Sequence, residues 1–419
     1  CILEWTIARL NKINAENVIS FSSKTVPILA ILRKNLLDHK HTEIFYTGEL
    51  HDFFDSEVLK NVYGYQFDLT HVENQAEIKA NGDSDTQHTG SRIFISQEEN
   101  ISSSDLSSRV DFFISGYASL GSVLVVNGEQ NESYISEIQH VRRRETIAMT
   151  PDNCLKALTF LTAHATLENV ESAGATNKAH VLNSIQEITG AHTLPLVASS
   201  GLSIQYAILM GLIDDALENY PGKAIKIIVP PNCYGGTNDQ ARRVAACIKN
   251  VEVVDLHVDG GQNMVQSIDS VLAKIADEDA IPYIIAEIPT NPRVEVPDLA
   301  QLKAVLSKKR TTTTGEIAID SVFILDQTFC PNTHFLGEGE ILSSVRSISF
   351  ASGSKFPSGG LCTAGYCIAN KKTEALMEKI EQHLKLCDNE ATDLQYELLA
   401  KQLPTMNQKN CKVRWRFLK

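Results

Sequence analysis

The chain has 419 residues, of which 43% are hydrophobic and 21% are charged. This composition is close to the average of globular domains and excludes a disordered or fibrous protein. Acidic residues outnumber basic ones by 51 to 38, a formal net charge of −13, which disfavours nucleic acid and anionic membranes as partners. No apolar run approaches the ~20 residues that span a bilayer. The nine cysteines are scattered without a C-x-x-C pair, so we expect a reducing compartment and a cytoplasmic protein.

Residues 1–150 are predicted to form a separate, small α/β unit. Strands are expected at Val18–Phe21, Thr42–Tyr46, Arg92–Ser96 and Val123–Val126, and helices at Val26–Leu37 and Ser56–Tyr63. The polar stretch Asn81–Ser91 is expected to be a loop, and Asp105 is a candidate helix cap. Gly116 and Gly121 lack the Lys-Ser/Thr of a phosphate loop and are interpreted as part of a turn. The role of this region stays open.

Residues 151–385 alternate short apolar runs with amphipathic stretches. Buried strands are predicted at Lys226–Val229, Val251–Val258, Tyr283–Ala286, Val322–Leu325, Val345–Phe350 and Thr363–Ala369, and helices at Ser203–Leu217, Asn238–Lys249, Met264–Ala276 and Asp298–Lys308. This alternation predicts an α/β domain with a doubly wound, mostly parallel sheet. A long helix is expected at Lys371–Leu403, and residues 386–419 are expected to form an interdomain helix and a truncated C-terminal remnant.

Two glycine-containing segments begin predicted helices after predicted strands or turns. Ser199-Ser200-Gly201-Leu202 precedes the apolar helix that starts at Ser203, where backbone amides can bind a phosphate. An ordinary serine cap is the alternative interpretation. Tyr234-Gly235-Gly236-Thr237 follows the strand that ends at Val229, and its aromatic ring can stack on a flat ligand. A turn with a packed tyrosine is the alternative.

Three further segments follow predicted strands. Two prolines in Glu287-Ile288-Pro289-Thr290-Asn291-Pro292 fix a turn that aims the Asn291 amide above the sheet edge. Asp326 ends an apolar strand, where a half-buried carboxylate requires a partner such as a cationic nitrogen, unless it caps a turn. Ser352-Gly353-Ser354-Lys355 places a lysine after a strand. Burial would lower the pKa of Lys355 and make its amine a Schiff-base nucleophile.

In this order, the five segments resemble the fold-type-I enzymes that use pyridoxal 5'-phosphate (PLP), and more narrowly the Cys/Met-metabolism family. That group includes cystathionine γ-synthase, cystathionine lyases and methionine γ-lyase. The similarity covers about Pro151–Leu403. Its motifs are Ser200–Leu202, Tyr234–Thr237, Glu287–Pro292, Asp326–Phe329 and Ser352–Lys355.

The resemblance implies a role for each matched residue. Lys355 would hold PLP as an internal aldimine and shuttle protons, and Tyr234 would stack on the ring and assist. Asp326 would keep the pyridine nitrogen protonated, and Asn291 would face the phenolic oxygen. The remaining cofactor-binding positions, most of them around the phosphate, are Ser200, Gly201, Leu202, Thr328, Ser352 and Ser354. No metal ligand is expected.

Three departures from the family pattern indicate a divergent branch. The family's Tyr-x-Arg pair, which reaches the phosphate of a neighbouring subunit, corresponds to Val170-Glu171-Ser172-Ala173, which has neither residue. Ser358–Thr363 lacks the family's His and Asp. Few residues follow Leu403, so the family's small C-terminal domain is largely missing, and Arg414 and Arg416 match no carboxylate-binding pattern. With Cys1 in place of Met and a basic tail after Lys409, these features lead us to expect an incomplete or altered chain.

We therefore predict PLP-dependent β- or γ-elimination or replacement on a sulfur-containing or O-activated amino acid, in a homo-oligomer. One alternative is an aminotransferase of the same fold type. The other is a catalytically impaired protein with a structural or regulatory role, which the missing Tyr-x-Arg pair favours and the retained Lys355 and Asp326 disfavour.

Overall fold

A computed structural model describes residues 1–78, 90–96, 106–163, 174–258, 263–291 and 293–417. The chain divides into two compact units, which are Cys1–Val170 with Lys385–Asn389, and Glu171–Leu384 with Glu390–Lys419. In the described part of the chain, no helix has the length and apolar character required to cross a membrane. The predicted Asn81–Ser91 loop lies almost wholly, and Asp105 entirely, outside these residues.

The first unit is built on a six-stranded sheet in the order β1-β6-β5-β4-β2-β3. Its strands are β1 (Val18–Phe21), β2 (Thr42–Tyr46), β3 (Phe67–His71), β4 (Ser91–Ser96), β5 (Phe112–Tyr117) and β6 (Gly121–Val126), and its helices are α1 (Ile2–Asn11), α2 (Val26–Leu37), α3 (Ser56–Asn61), α4 (Ser133–Arg144) and α5 (Pro151–Ala163). β6 runs antiparallel to both neighbours, and β2, β3, β4 and β5 are parallel. The four strands and two helices predicted here are confirmed, whereas β3 and β5 were not predicted.

Gly116 lies near the end of β5 and Gly121 begins β6, so the predicted turn lies between the two glycines rather than at them. The Leu120 amide donates to the Tyr117 carbonyl at 2.7 Å. Gly121 has φ +123°, and a β-carbon built there would lie 2.2 Å from the Phe21 carbonyl oxygen. Glycine at this position therefore allows β6 to approach β1 closely.

Helix α5 belongs to the first unit, although the sequence analysis started the second domain at residue 151. Its buried residue Ala157 lies in the same apolar cluster as Leu3, Ile7 and Val18. Because this helix packs against α1, the boundary between the two units falls after the helix rather than before it.

The second unit contains a seven-stranded sheet in the order β7-β13-β12-β11-β10-β8-β9. Its strands are β7 (Leu196–Ala198), β8 (Ile225–Val229), β9 (Val251–Asp255), β10 (Ile281–Glu287), β11 (Val322–Asp326), β12 (Ser347–Ser352) and β13 (Gly365–Ala369). Its helices are α6 (Gly174–Thr189), α7 (Gly201–Asn219), α8 (Gly235–Cys247), α9 (Met264–Asp277), α10 (Leu299–Ser307), α11 (Met377–Leu386) and α12 (Asp393–Phe417). β13 is antiparallel to both of its neighbours, and the other described strand pairs are parallel.

Both faces of this sheet are covered, as a doubly wound sheet requires. Ile228, Ile284 and Leu325 belong to the cluster that also contains apolar residues of α9 and α10. Ile227 and Ile285, whose side chains point to the opposite face, are buried as well. The prediction of an α/β fold with a doubly wound, mostly parallel sheet is confirmed.

The predicted single helix Lys371–Leu403 is wrong, because the chain forms α11 and α12 with an irregular segment between them. Asp388 in that segment has φ +48°. Asn389 donates to the Glu145 carbonyl oxygen at 2.7 Å and accepts from the Thr146 hydroxyl at 2.6 Å. These tertiary hydrogen bonds satisfy polar groups of a non-helical segment, so they override the local helical pattern.

Candidate active site

The five segments singled out in the sequence meet at one edge of the seven-stranded sheet. Parallel strands present their carboxyl ends at the same edge, where open α/β sheets bind ligands. Ser200 follows β7, Tyr234 follows β8 and Asn291 follows β10, while Asp326 and Ser352 are the last residues of β11 and β12. The sheet thus brings together residues that are separated by up to 152 positions in the chain.

The start of α7 lies directly against the end of β12. A β-carbon built on Gly201 would lie 2.6 Å from the Ser352 β-carbon, and one built on Gly365 would lie 2.6 Å from the Gly201 α-carbon. The Ser200 hydroxyl accepts the Ser203 amide at 3.0 Å, which confirms the interpretation of this serine as a helix cap. Among the described residues, the amides of Gly201 and Leu202 have no hydrogen-bond acceptor. They can therefore bind an anion at this helix end.

The ring of Tyr234 lies over Gly236, beside Leu202. A β-carbon built on Gly236 would lie 2.5 Å from Tyr234 Cε1 and 3.0 Å from Leu202 Cδ1. The Tyr234 side chain remains 49% exposed. An exposed aromatic ring next to the free amides of α7 can stack on a flat ligand whose anionic group those amides bind.

Asp326 is a buried carboxylate with no ion-pair partner among the described residues. Its Oδ1 accepts the Thr328 amide at 2.8 Å. Burial raises the pKa of Asp326, and the hydrogen bonds from Thr328 offset this only in part. The Thr328 hydroxyl in turn accepts the Ser352 amide at 3.0 Å. Thr328 therefore connects the ends of β11 and β12.

Glu287, the last residue of β10, is a site residue that the sequence analysis did not select. One carboxylate oxygen accepts the Tyr234 amide at 2.7 Å, and the other accepts the Asn291 amide at 3.1 Å. Burial raises the pKa of Glu287 to about 7, and the negative charge of Asp326 adds to this effect. The position within the motif Glu287–Pro292 was the available signal, because a glutamate that ends a buried strand needs partners.

Lys355 does not lie in the buried environment expected from the sequence. β12 ends at Ser352, and Ser354 and Lys355 are exposed in the turn that follows. The turn is closed by a hydrogen bond from the Gly360 amide to the Lys355 carbonyl oxygen at 3.0 Å. Lys355 thus lies at the same sheet edge as Asp326, but the burial that was expected to activate its amine is missing.

Asn291 is half-buried and lines a pocket of about 340 Å³ at the same edge of the sheet. Polar residues of the wall include Asn232, Asn263 and Arg293, and apolar ones include Val258 and Val296. This volume is within the range of small-molecule sites, ~300–1,000 Å³.

Several residues of the sequence analysis lie outside this description. Pro292 and the stretch Val170–Ala173, aligned with the family's Tyr-x-Arg, are outside the described residues, and the side chains of Arg414 and Arg416 are too. Among the described residues, no group of three or more His, Cys, Asp and Glu side chains forms a candidate metal site.

No family model matches the sequence, and no curated protein matches it either. Solved structures that resemble the chain include a cystathionine γ-lyase from Micromonospora echinospora, with 19% identity and a TM-score of 0.41 over 55% of this chain and 52% of that one. The apo form of a methionine γ-lyase from the same organism has 18% identity and a TM-score of 0.40 over 55% of this chain and 54% of that one. Cystathionine γ-lyase from yeast has 17% identity and a TM-score of 0.43 over 59% of this chain and 55% of that one. The chain spans about half the length of these structures.

Proposed function

We propose that the second unit binds PLP and supports β- or γ-elimination or replacement on a sulfur-containing or O-activated amino acid. The observation that carries this proposal is the pairing of a cation-accepting group with an anion-binding one at a single sheet edge. Among the residues that the structure describes, Asp326 is a buried carboxylate without a cation, and the amides at the start of α7 are without an acceptor. PLP has a ring nitrogen that can be protonated and a phosphate, so it offers a partner to each.

The residues of the edge divide the binding of PLP between them. The amides of Gly201 and Leu202, with the hydroxyls of Ser352 and Ser354, bind the phosphate, and Ser200 and Thr328 hold the neighbouring backbone in place. Asp326 accepts a hydrogen bond from the ring nitrogen, Tyr234 covers the ring, and Asn291 donates to the phenolic oxygen. When bound, PLP supplies an electron sink for a carbanion at the substrate's α-carbon.

Lys355 is the proton carrier in this proposal. Its ammonium group extends from the turn after β12, within the same edge as Asp326. As the free amine it removes a proton from the α-carbon, and the phenol of Tyr234 lies on the loop that can assist a second proton transfer. The reaction requires that water be excluded from Lys355, whose side chain is exposed.

The substrate is proposed to be a small amino acid whose side chain enters the pocket lined by Asn291. Asn232, Asn263 and Arg293 provide hydrogen-bond donors there, and Val258 and Val296 provide apolar contacts. A sulfur- or oxygen-linked leaving group combines an apolar stem with a polar end, which matches this mixed lining.

A homo-oligomer is part of the proposal. Large apolar side chains on the loops of this edge are 47–63% exposed, namely Tyr234, Val294, Val296, Phe329, Phe356 and Leu361. Exposed apolar side chains grouped around a site are typical of a surface that a protein partner covers. A second copy of the chain would bury them and restrict solvent at Lys355.

The spectrum of the purified protein tests the proposal. After incubation with PLP and desalting, we expect visible absorbance that Lys355→Ala abolishes and that the exposed control Lys372→Ala retains. Borohydride reduction followed by peptide mass spectrometry should place the added mass on Lys355. A protein that stays colourless contradicts the proposal.

If PLP binds, product analysis separates the reaction classes. Incubation with cystathionine, methionine and O-acylated homoserine should release keto acid or thiol. Transfer of the amino group to an added keto acid would favour an aminotransferase instead. PLP binding without turnover of any of these substrates would favour a catalytically impaired protein, the alternative that the exposure of Lys355 supports.

A further inference from the structure

We infer that Glu287 is a positioning residue: its carboxylate ties the loop that carries Tyr234 to the loop that carries Asn291 and so sets where both meet the cofactor. This inference rests on the proposed function. Glu287 touches neither cofactor nor substrate in this role and acts through the backbone of its two partners.

The geometry is that of a two-sided clamp. The backbone nitrogen of Tyr234 lies 2.7 Å from Glu287 Oε1, and the backbone nitrogen of Asn291 lies 3.1 Å from Glu287 Oε2. Tyr234 is the N-cap of α8, whereas Asn291 is in the loop after β10, so one carboxylate holds two residues that are 57 positions apart in the chain. A carboxylate has an acceptor oxygen for each of the two amides.

The clamp is unfavourable for folding, which argues against a purely structural role. Glu287 is 6% exposed, and no cation pairs with it among the described residues. In the parallel register it lies opposite Asp326, so a second carboxylate is its strand neighbour. A buried charge beside a like charge lowers stability. A cation bound at Asp326 would relieve this repulsion, so cofactor binding and the clamp favour each other.

The substitution Glu287→Gln separates the two roles with almost no change in shape. The amide oxygen of glutamine can accept one backbone N–H, but its NH₂ group faces the other N–H as a second donor. Glu338→Gln is the matched control, since Glu338 is exposed and has no described partner. The two variants make the same chemical change in different environments.

The first readout needs no cofactor. In hydrogen exchange of the PLP-free protein, Glu287→Gln should exchange the amides of Tyr234 and Asn291 about tenfold faster or more, the factor expected when a hydrogen bond to a charged acceptor is lost. Unfolding by urea at pH 8 should require the same or a higher denaturant concentration than for the parent protein. A loss of overall stability without a local change in exchange would overturn the inference.

The second readout is PLP affinity. Glu287→Gln should bind PLP about tenfold or more weakly, and Glu287→Asp, which keeps both acceptor atoms on a shorter side chain, should lie between this variant and the parent. If the parent binds PLP and Glu287→Gln binds it equally well, the inference is wrong. If the parent protein does not bind PLP at all, the proposed function fails, whereas the exchange result still decides whether the clamp exists.

Discussion

The backbone of Gly201 lies directly against the backbone and the hydroxymethyl side chain of Ser352. A β-carbon on Gly201 would lie 2.6 Å from the Ser352 β-carbon, 2.9 Å from its α-carbon and 2.9 Å from its hydroxyl oxygen. The anion-binding amides of α7 and the end of β12 are therefore held at one fixed separation.

Gly201→Ala should push α7 and β12 apart. We expect a loss of about 1–3 kcal/mol in the free energy of unfolding, typical of overpacking, and markedly weaker PLP binding because the amides move away from the Ser352 hydroxyl. Urea unfolding and a PLP titration followed by absorbance measure the two effects. Gly235→Ala is the control, because a β-carbon there meets nothing within 4 Å. Equal effects in the two variants would show that the close approach is unimportant.

Glu287 should make the stability of the second unit fall as pH rises. Its pKa in the folded state is raised to about 7 from the ordinary 4.5. Between these values the folded protein holds a proton that the unfolded chain has released, so unfolding becomes easier with increasing pH, by at most ~1.4 kcal/mol per pH unit. Asp326, whose pKa is also raised, and the nearby thiol of Cys233 are the other titratable groups to consider.

Glu287→Gln removes this dependence. The stability of the variant relative to the parent protein should rise from pH 5 to pH 7.5, as measured by urea unfolding at closely spaced pH values. Glu338→Gln should show a constant difference across the same range. If the stabilities of Glu287→Gln and the parent protein change with pH in the same way, Glu287 does not titrate near neutrality.

The parallel core was predictable from the sequence because β8, β10 and β11 are buried on both faces. Such strands are continuous apolar runs, which stand out against amphipathic helices. β7 was missed because it has only three residues, Leu196–Ala198. β3 (Phe67–His71) was missed because it is largely exposed and most of its residues are polar. The break between α11 and α12 depends on hydrogen bonds to Glu145 and Thr146, which lie more than 240 residues away.

The placement of Tyr234, Asn291 and Asp326 at one sheet edge was predictable, because each follows or ends a predicted strand. The clamp by Glu287 was not predictable, because its partners are backbone amides that have no signature in the sequence. The burial of Lys355 was predicted wrongly, because the turn that follows β12 carries the lysine into solvent.

The Thr328 hydroxyl should contribute to stability by joining the ends of β11 and β12. Thr328→Val keeps the shape but removes the acceptor of the Ser352 amide, which leaves a half-buried N–H group without its partner at a cost of about 1–3 kcal/mol. Thr328→Ser keeps the hydroxyl and should recover most of this loss. Urea unfolding measures the stability, and a PLP titration shows whether Ser352 has moved. Equal stability of the valine and serine variants would mean that this hydrogen bond contributes little.

The first unit contains a buried ion pair between Arg33 of α2 and Glu145, which follows α4. Arg33 Nη2 lies 2.8 Å from Glu145 Oε2, and a second hydrogen bond joins Nη1 to Oε1. The two side chains are 3% and 1% exposed. Removal of one partner leaves a buried charge, so Glu145→Leu should lower the stability by about 3–5 kcal/mol.

The double variant Arg33→Met/Glu145→Leu tests whether the pair itself stabilises the unit. Two apolar side chains of similar volume leave no buried charge, so we expect the double variant to be clearly more stable than Glu145→Leu and close to the parent protein. The stability of the first unit in the three proteins is measured by unfolding, with limited proteolysis as the readout. A double variant as unstable as Glu145→Leu would show that the bidentate geometry supplies net stability, since the loss would then not come from an unpaired charge.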